Sequence, residues 1–376
     1  MKAGCISQSR SIFTAKLSSR FPSSASRTGI MAPAETTGNV QRPEAGKQSM
    51  GSFWTQMFPP KPTYTEEQVP DLTGKIFIVT GSSSGVGKEA ARMLYAKNAK
   101  VYMAARPGPK LPAAINSVQE AVPKSGGALI PLELDLADLA VVKKAVEKFT
   151  SLETKLHGLI NNAAVQALKD TDGDARTAQG HEIHMGVNVL APFLFTRLLT
   201  GVLTATARQE PPGTVRVVWV SSMGTETIGE KRRGLSPDYV DYWPLMSPLE
   251  RYGLSKAGNW LHGVEFARRY AADGIASFPI NPGHLKSDLY REGGALFKFA
   301  LKPVLYPPTY GAYVELFAAL SPTLTLKDSG AWIVPWGRLY PIRSDLSDAT
   351  KTEGEGGNGH ARAFWNWSEE QVKVFL

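Results

Sequence analysis

Cysteine is almost absent. Cys5 is the one cysteine in 376 residues, so the chain can form no internal disulfide and no cysteine-based metal cluster, and a lone thiol in such a leader is not expected to be catalytic. No run approaches the roughly 18 uninterrupted apolar residues of a spanning helix, so no transmembrane segment is expected. Acidic residues are missing before Glu35. The formal charge is +8, but residues 1–49 hold seven Lys/Arg against Glu35 and Glu44, which leaves +3 for the other 327 residues. No basic stripe interleaved with aromatics remains, so nucleic acid is not an expected partner. His181-Glu182-Ile183-His184 lacks the four-residue histidine spacing of the zinc helix motif, and no metal is expected. What is present, 43% hydrophobic and 20% charged residues, is a globular composition long enough to bury a large core.

Residues 1–49 are rich in Ser, Arg, Ala and Thr without apolar periodicity and read as a disordered leader. It is either a mitochondrial transit peptide or an upstream extension with Met50 as the true start, the second reading giving a cytoplasmic protein. Residues 50–71 read as an extended arm, and 341–376 as a tail anchored by burying the indoles of Phe364-Trp365-Asn366-Trp367. Between them, short β-branched runs alternate with stretches of helical spacing. The runs are Lys75–Thr80, Lys100–Ala105, Ala128–Leu134, Lys155–Ile160, Thr214–Val220, Ile275–Ile280 and Ala331–Pro335. This alternation over 72–340 predicts one α/β domain with a doubly wound parallel sheet of about seven strands and helices on both faces.

The first run leads directly into Thr80-Gly81-Ser82-Ser83-Ser84-Gly85-Val86-Gly87 and then a helix. Strand, glycine turn and helix in that order make a phosphate-binding start, because glycines let backbone N–H groups approach anionic oxygens at a helix N-terminus. Arg106 ends the second run, where an acid would bind a ribose 2′-OH and an arginine a 2′-phosphate, so NADP(H) is favoured over NAD(H). The fifth run delivers Ser221-Ser222 to the sheet edge that binds ligands. Tyr252 and Lys256 stand one helical turn apart on a predicted helix over Leu249–Tyr270, where an ammonium can favour the phenolate and make the tyrosine an acid or base.

Taken together these marks, with Asp135, Asn161-Asn162-Ala163-Ala164, Asn188 and Pro282-Gly283, resemble the short-chain dehydrogenase/reductase family. The wording is similar to its branch of retinol dehydrogenases and WW-domain oxidoreductases, and to fungal members. The resemblance implies a single Rossmann-type domain, with Tyr252 as proton donor or acceptor, Lys256 lowering its pKa and holding the nicotinamide ribose, and Ser222 binding the reacting oxygen. It implies that Asn188 supports a water linking Lys256 to solvent. Gly81, Ser83, Ser84, Gly85, Val86 and Gly87 would surround the pyrophosphate, Asp135 and Asn162 the adenosine half, and Leu285 and Ser287 the carboxamide. Ala164 departs from the usual glycine. The segments 223–248 and 288–320, with Tyr239, Tyr242 and Trp243 in the first and an apolar stretch from Ala295 in the second, are expected to shape a pocket for a hydrophobic carbonyl or alcohol. That stretch also fits an interfacial membrane helix or a core helix pair. The expected activity is NADP(H)-dependent hydride transfer, with secondary metabolism as the setting by similarity to the fungal members and a homodimer through the helices of Asn188 and Tyr252. The alternative is a non-catalytic NADP(H)-binding sensor or scaffold.

Overall fold

The first strand, β1 (Ile76–Thr80), is buried at all five positions, as its unbroken apolar run requires of a strand covered on both faces. The computed structural model describes residues 44–238, 243, 245–286 and 305–376. Further strands are β2 (Lys100–Ala105), β3 (Ala128–Glu133), β4 (Gly158–Asn161), β5 (Val215–Val220), β6 (Ile275–Ile280), β7 (Ile333–Val334) and β8 (Arg338–Leu339). They form one sheet in the order β3-β2-β1-β4-β5-β6-β7-β8, parallel except for β8. The order reverses at β1, between β2 and β4, and in open sheets of this kind ligands bind at that point, beyond the carboxyl ends of the strands.

The α-helices among the described residues are α1 (Met50–Met57), α2 (Gly85–Ala96), α3 (Lys110–Ala121), α4 (Leu139–Leu152), α5 (Ala191–Ala207), α6 (Gly224–Thr227), α7 (Pro248–Tyr270), α8 (Pro308–Leu320), α9 (Ser344–Thr350) and α10 (His360–Val372). α2, α3 and α8 cover one face of the sheet and α4, α5 and α7 the other, each with its own core. Arg216 of β5 fastens α8 to the sheet. Its buried guanidinium donates to the carbonyls of Gly213, Ala318, Ser321 and Leu324 at 2.8 to 3.1 Å.

α5 is apolar almost all round and, with the π-helical turn Met185–Leu190 before it, long enough to cross a membrane. Its outer face is instead packed by α10. Trp365, 1% exposed, lies edge-on to Phe193 with ring centroids 4.8 Å apart. Because α10 also packs on α7, the outward face of the α5/α7 pair is occupied by the chain's own tail.

Two readings are corrected. The arm 50–71 is not extended throughout, because α1 forms at its start, with Ser49 Oγ accepting from Ser52 N at 3.1 Å. Trp243 does not line an open pocket, since it is 1% exposed and belongs to the core beneath α7. Tyr239, Tyr242 and the stretch from Ala295 through residue 304 lie outside the described residues.

Candidate active site

At the carboxyl end of β1, the glycine turn bends with Gly81 at φ +70° and Gly85 at φ +59°, a left-handed conformation that favours glycine. A Cβ on Gly87 would meet Asn162 Nδ2 at 2.4 Å, so the turn packs too tightly for any side chain there. Asn162 does not face outward. Its Nδ2 donates to the Thr80 carbonyl at 2.7 Å while Thr80 Oγ1 accepts from Ala163 N at 3.0 Å, and these two bonds lock the turn to the end of β4. Ser84 begins α2 without a side-chain cap, so the first-turn N–H groups of α2 point to the turn without a capping oxygen. Ser82 is fully buried and its Oγ has no partner. A glycine cradle, an uncapped helix start and an unpaired buried hydroxyl fit a pyrophosphate-bearing dinucleotide.

The remaining cofactor candidates are distributed around this turn. Ser83 and Val86 are half-buried, and Val86 packs with Leu285 against Gly311 of α8. Arg106 is exposed immediately beyond β2, and Asp135 lies just past β3 with Oδ1 accepting from Ala137 N at 3.0 Å. Ser287 lies outside the described residues.

The catalytic candidates meet at the end of β5. Ser247 starts α7 with a capping box, accepting from Glu250 N while the Glu250 carboxylate accepts from Ser247 N. One turn later stand Tyr252, 9% exposed, and Lys256, 2% exposed, with Lys256 Nζ 5.8 Å from the tyrosine ring centroid. The ammonium donates to the Val220 carbonyl at 2.7 Å. Burial pushes Lys256 down to about 7, with Glu315 pulling the other way. Ser222 stands two residues past the end of β5, half-buried, its Oγ accepting from Gly224 N at 3.1 Å. Asn188, fully buried in the π-helical turn, uses its side chain on Val165: Oδ1 accepts from Val165 N at 2.8 Å and Nδ2 donates to Val165 O at 2.9 Å. Nδ2 also donates to Ser255 Oγ at 2.9 Å, and Ser255 Oγ donates to the Tyr252 carbonyl at 2.7 Å. Asn188 thus joins the loop after β4 to the helical turn that carries Tyr252 and Lys256.

Three buried groups beside the site carry no sequence motif. Arg251, fully buried next to Tyr252, donates to Asp170 and to the Met246 carbonyl and lies 3.4 Å from Glu182. Glu182 in turn bonds His184 at 2.6 Å, so the His-Glu-Ile-His stretch serves this cluster. Glu226, four residues beyond Ser222, is fully buried and its carboxyl is pushed up by burial against the hydrogen bonds from Gln56, Trp332 and Ser52. Glu315 of α8 is fully buried with neither carboxyl oxygen hydrogen-bonded.

The sequence matches the family model described as short chain dehydrogenase over residues 75–232. A short-chain dehydrogenase/reductase of Neocamarosporium betae is 76% identical over 346 residues, covering 92% of this chain and 100% of that protein. Another, of Phomopsis amygdali, is 46% identical over 334 residues, covering 87% and 98%. Solved structures with the same fold include a short chain dehydrogenase from Burkholderia cenocepacia in complex with NADP, at TM-score 0.55 and 21% identity, covering 71% of this chain and 98% of that one. An NADPH-bound carbonyl reductase from chicken fatty liver has TM-score 0.52 and 21% identity, with 72% and 99% covered. The chain belongs to the short-chain dehydrogenase/reductase family, a family of oxidoreductases.

Proposed function

We propose that the protein is an NADP(H)-dependent oxidoreductase acting on a carbonyl or alcohol group of a small hydrophobic molecule. The observation that carries this is the connected set Asn188–Ser255–Tyr252 with Lys256 buried against Val220, beside Ser222 at the end of one strand. A bound nicotinamide supplies or takes up the hydride. Tyr252 gives its phenolic proton to the carbonyl oxygen in reduction and takes it back in oxidation. Ser222 Oγ donates to the same oxygen and, with the phenol, stabilises the charge that develops on it. The Lys256 ammonium favours the phenolate, and Asn188 fixes the turn on which both stand.

NADP(H) is preferred because Arg106 occupies the end of β2 with no acid in its place, and structural neighbours include NADP complexes. A role in fungal secondary metabolism rests on similarity to the fungal relatives, and a cytoplasmic location on reading residues 1–49 as an extension. Two copies that pair would use a surface other than the α5/α7 face covered by α10.

The test is NADPH oxidation followed by absorbance with a panel of aliphatic and aromatic ketones and aldehydes, benzil included. Turnover of a hydrophobic carbonyl is expected. NADPH binding with no oxidation across the panel would instead make the protein a sensor.

A further inference from the structure

Helix α1 wears its polar residues on the inside. Ser52 and Gln56 are 5% and 1% exposed, whereas Met50 and Trp54 are 78% and 61% exposed. Buried polar groups persist where they are hydrogen-bonded, and the Gln56 amide is bonded at both ends. Its Oε1 accepts from Asn281 Nδ2 at 2.8 Å, and its Nε2 donates to Ser52 Oγ at 2.9 Å and to Glu226 Oε2. Asn281 opens the Asn281-Pro282-Gly283 turn after β6, which its Oδ1 closes by accepting from Gly283 N at 3.0 Å. Glu226 lies on α6, the helical turn that begins beside Ser222 and whose Gly224 N donates to Ser222 Oγ. One glutamine from outside the sheet therefore joins the loop of Ser222 to the loop of Pro282-Gly283.

Glu226 shows how far the site leans on the arm. Its carboxylate accepts from Gln48 Nε2, Ser52 Oγ, Gln56 Nε2, Trp332 Nε1 and the Arg343 backbone N. Three of these five donors come from residues 48–56, and among the described residues no lysine or arginine side chain forms an ion pair with this carboxylate. The Arg343 guanidinium goes to the main-chain oxygen of Glu226 and to Asp345, and Arg338 holds the arm itself by donating to Thr55 O at 2.9 Å. Without the arm, a buried carboxylate would keep two donors, and the turn carrying Ser222 would have to move to rehydrate it.

We infer that Gln56 is a positioning residue which, through Glu226 and Asn281, holds Ser222 and the Pro282-Gly283 turn in register across the reacting centre. The N-terminal arm is then a working part of the active site. This rests on the oxidoreductase reading above.

The experiment uses the full chain with NADPH and the fastest carbonyl of the panel, comparing wild type, Gln56→Met and Gln56→Glu. Gln56→Met keeps the volume but loses all three bonds. It is expected to lower kcat about tenfold while leaving the NADPH dissociation constant within about twofold, since misplacement of a donor acts on the transition state. Gln56→Glu sets two carboxyls face to face, and such a pair retains a proton at low pH that restores the bond. The charged groups around it are Glu226, Arg343 with Asp345, and Arg338. Its activity relative to wild type is therefore expected to be highest near pH ~6 and to fall towards pH ~8. Wild-type kcat in a folded Gln56→Met chain, equal loss of cofactor binding and activity, or a pH-independent Gln56→Glu ratio would each overturn the positioning role alone. No turnover by the wild type would overturn the oxidoreductase reading and this inference with it.

Discussion

Lys256 and Ser221 are bound to each other's strand and helix: Lys256 Nζ donates to the Val220 carbonyl at 2.7 Å, and Ser221 Oγ donates to the Lys256 carbonyl at 2.6 Å. This exchange fixes α7 on the end of β5, so the ammonium is positioned by the sheet. In the proposed mechanism the phenol of Tyr252 moves the proton. Tyr252→Phe is expected to lower kcat by about 10²-fold or more and to leave NADPH affinity nearly unchanged. Steady-state kinetics with a parallel cofactor titration checks this, and wild-type-like turnover would end the mechanism.

Arg106 stands exposed just past β2, and its guanidinium has no hydrogen-bond or ion-pair partner among the described residues. Replacing it by Asp exchanges a group suited to a 2′-phosphate for one suited to a 2′-OH. Arg106→Asp should weaken NADPH relative to NADH by about tenfold or more, the scale of one charge-assisted contact. The ratio of the two kcat/KM values measures it; an unchanged ratio would refute the assignment.

Glu315 and Lys256 are buried and perturb each other. Burial pushes the Glu315 carboxyl up to about 8, and the Lys256 ammonium pulls it down. Between its ordinary 4.5 and about 8 the folded chain therefore binds a proton that the unfolded chain has lost. The stability from this group is complete below the lower value and is lost as pH rises through the upper one. Glu315→Gln should match the wild-type urea midpoint near pH ~5 and exceed it near pH ~9, by at least about 1 kcal/mol in unfolding free energy. Equal midpoints at the higher pH would show that the carboxyl is hydrated in the native state.

Trp365 covers α5 and α7 from outside, edge-on to Phe193 and with the Arg269 guanidinium 4.8 Å over its ring. Trp365→Ala should cost about 3–5 kcal/mol of stability, the range for truncating a buried large aromatic. Denaturant unfolding gives the value, and a loss under about 1 kcal/mol would mean that the face collapses or does not need α10.

Much of this is readable in the sequence because β1, β2, β5 and β6 are buried on both faces and so write themselves as short, mostly apolar runs. The glycine turn and the Tyr252/Lys256 spacing are local, so their meaning survives without the fold. α1 was not readable: its apolar residues repeat at helical spacing, yet the face it buries is the polar one, against the usual rule. Gln56 meets Glu226 across 170 positions of sequence, and no local pattern encodes such a contact. Arg251 likewise looks like a solvent-facing helix residue until the loop carrying Asp170 closes over it. Composition alone places Trp243 with the pocket aromatics, whereas packing puts it in the core.

The inverted polarity of α1 also gives the protein an optical handle. Of its eight tryptophans, Trp219, Trp243, Trp260, Trp332, Trp336 and Trp365 are at most 3% exposed, while Trp54 on α1 is 61% exposed. Trp367 is intermediate. A water-soluble quencher thus sees chiefly the outer side of the arm, and Trp332, which donates to Glu226, marks its inner side. Emission from the unlabelled chain can therefore report whether the arm is seated, with release of α1 opening a second, previously shielded indole to the quencher.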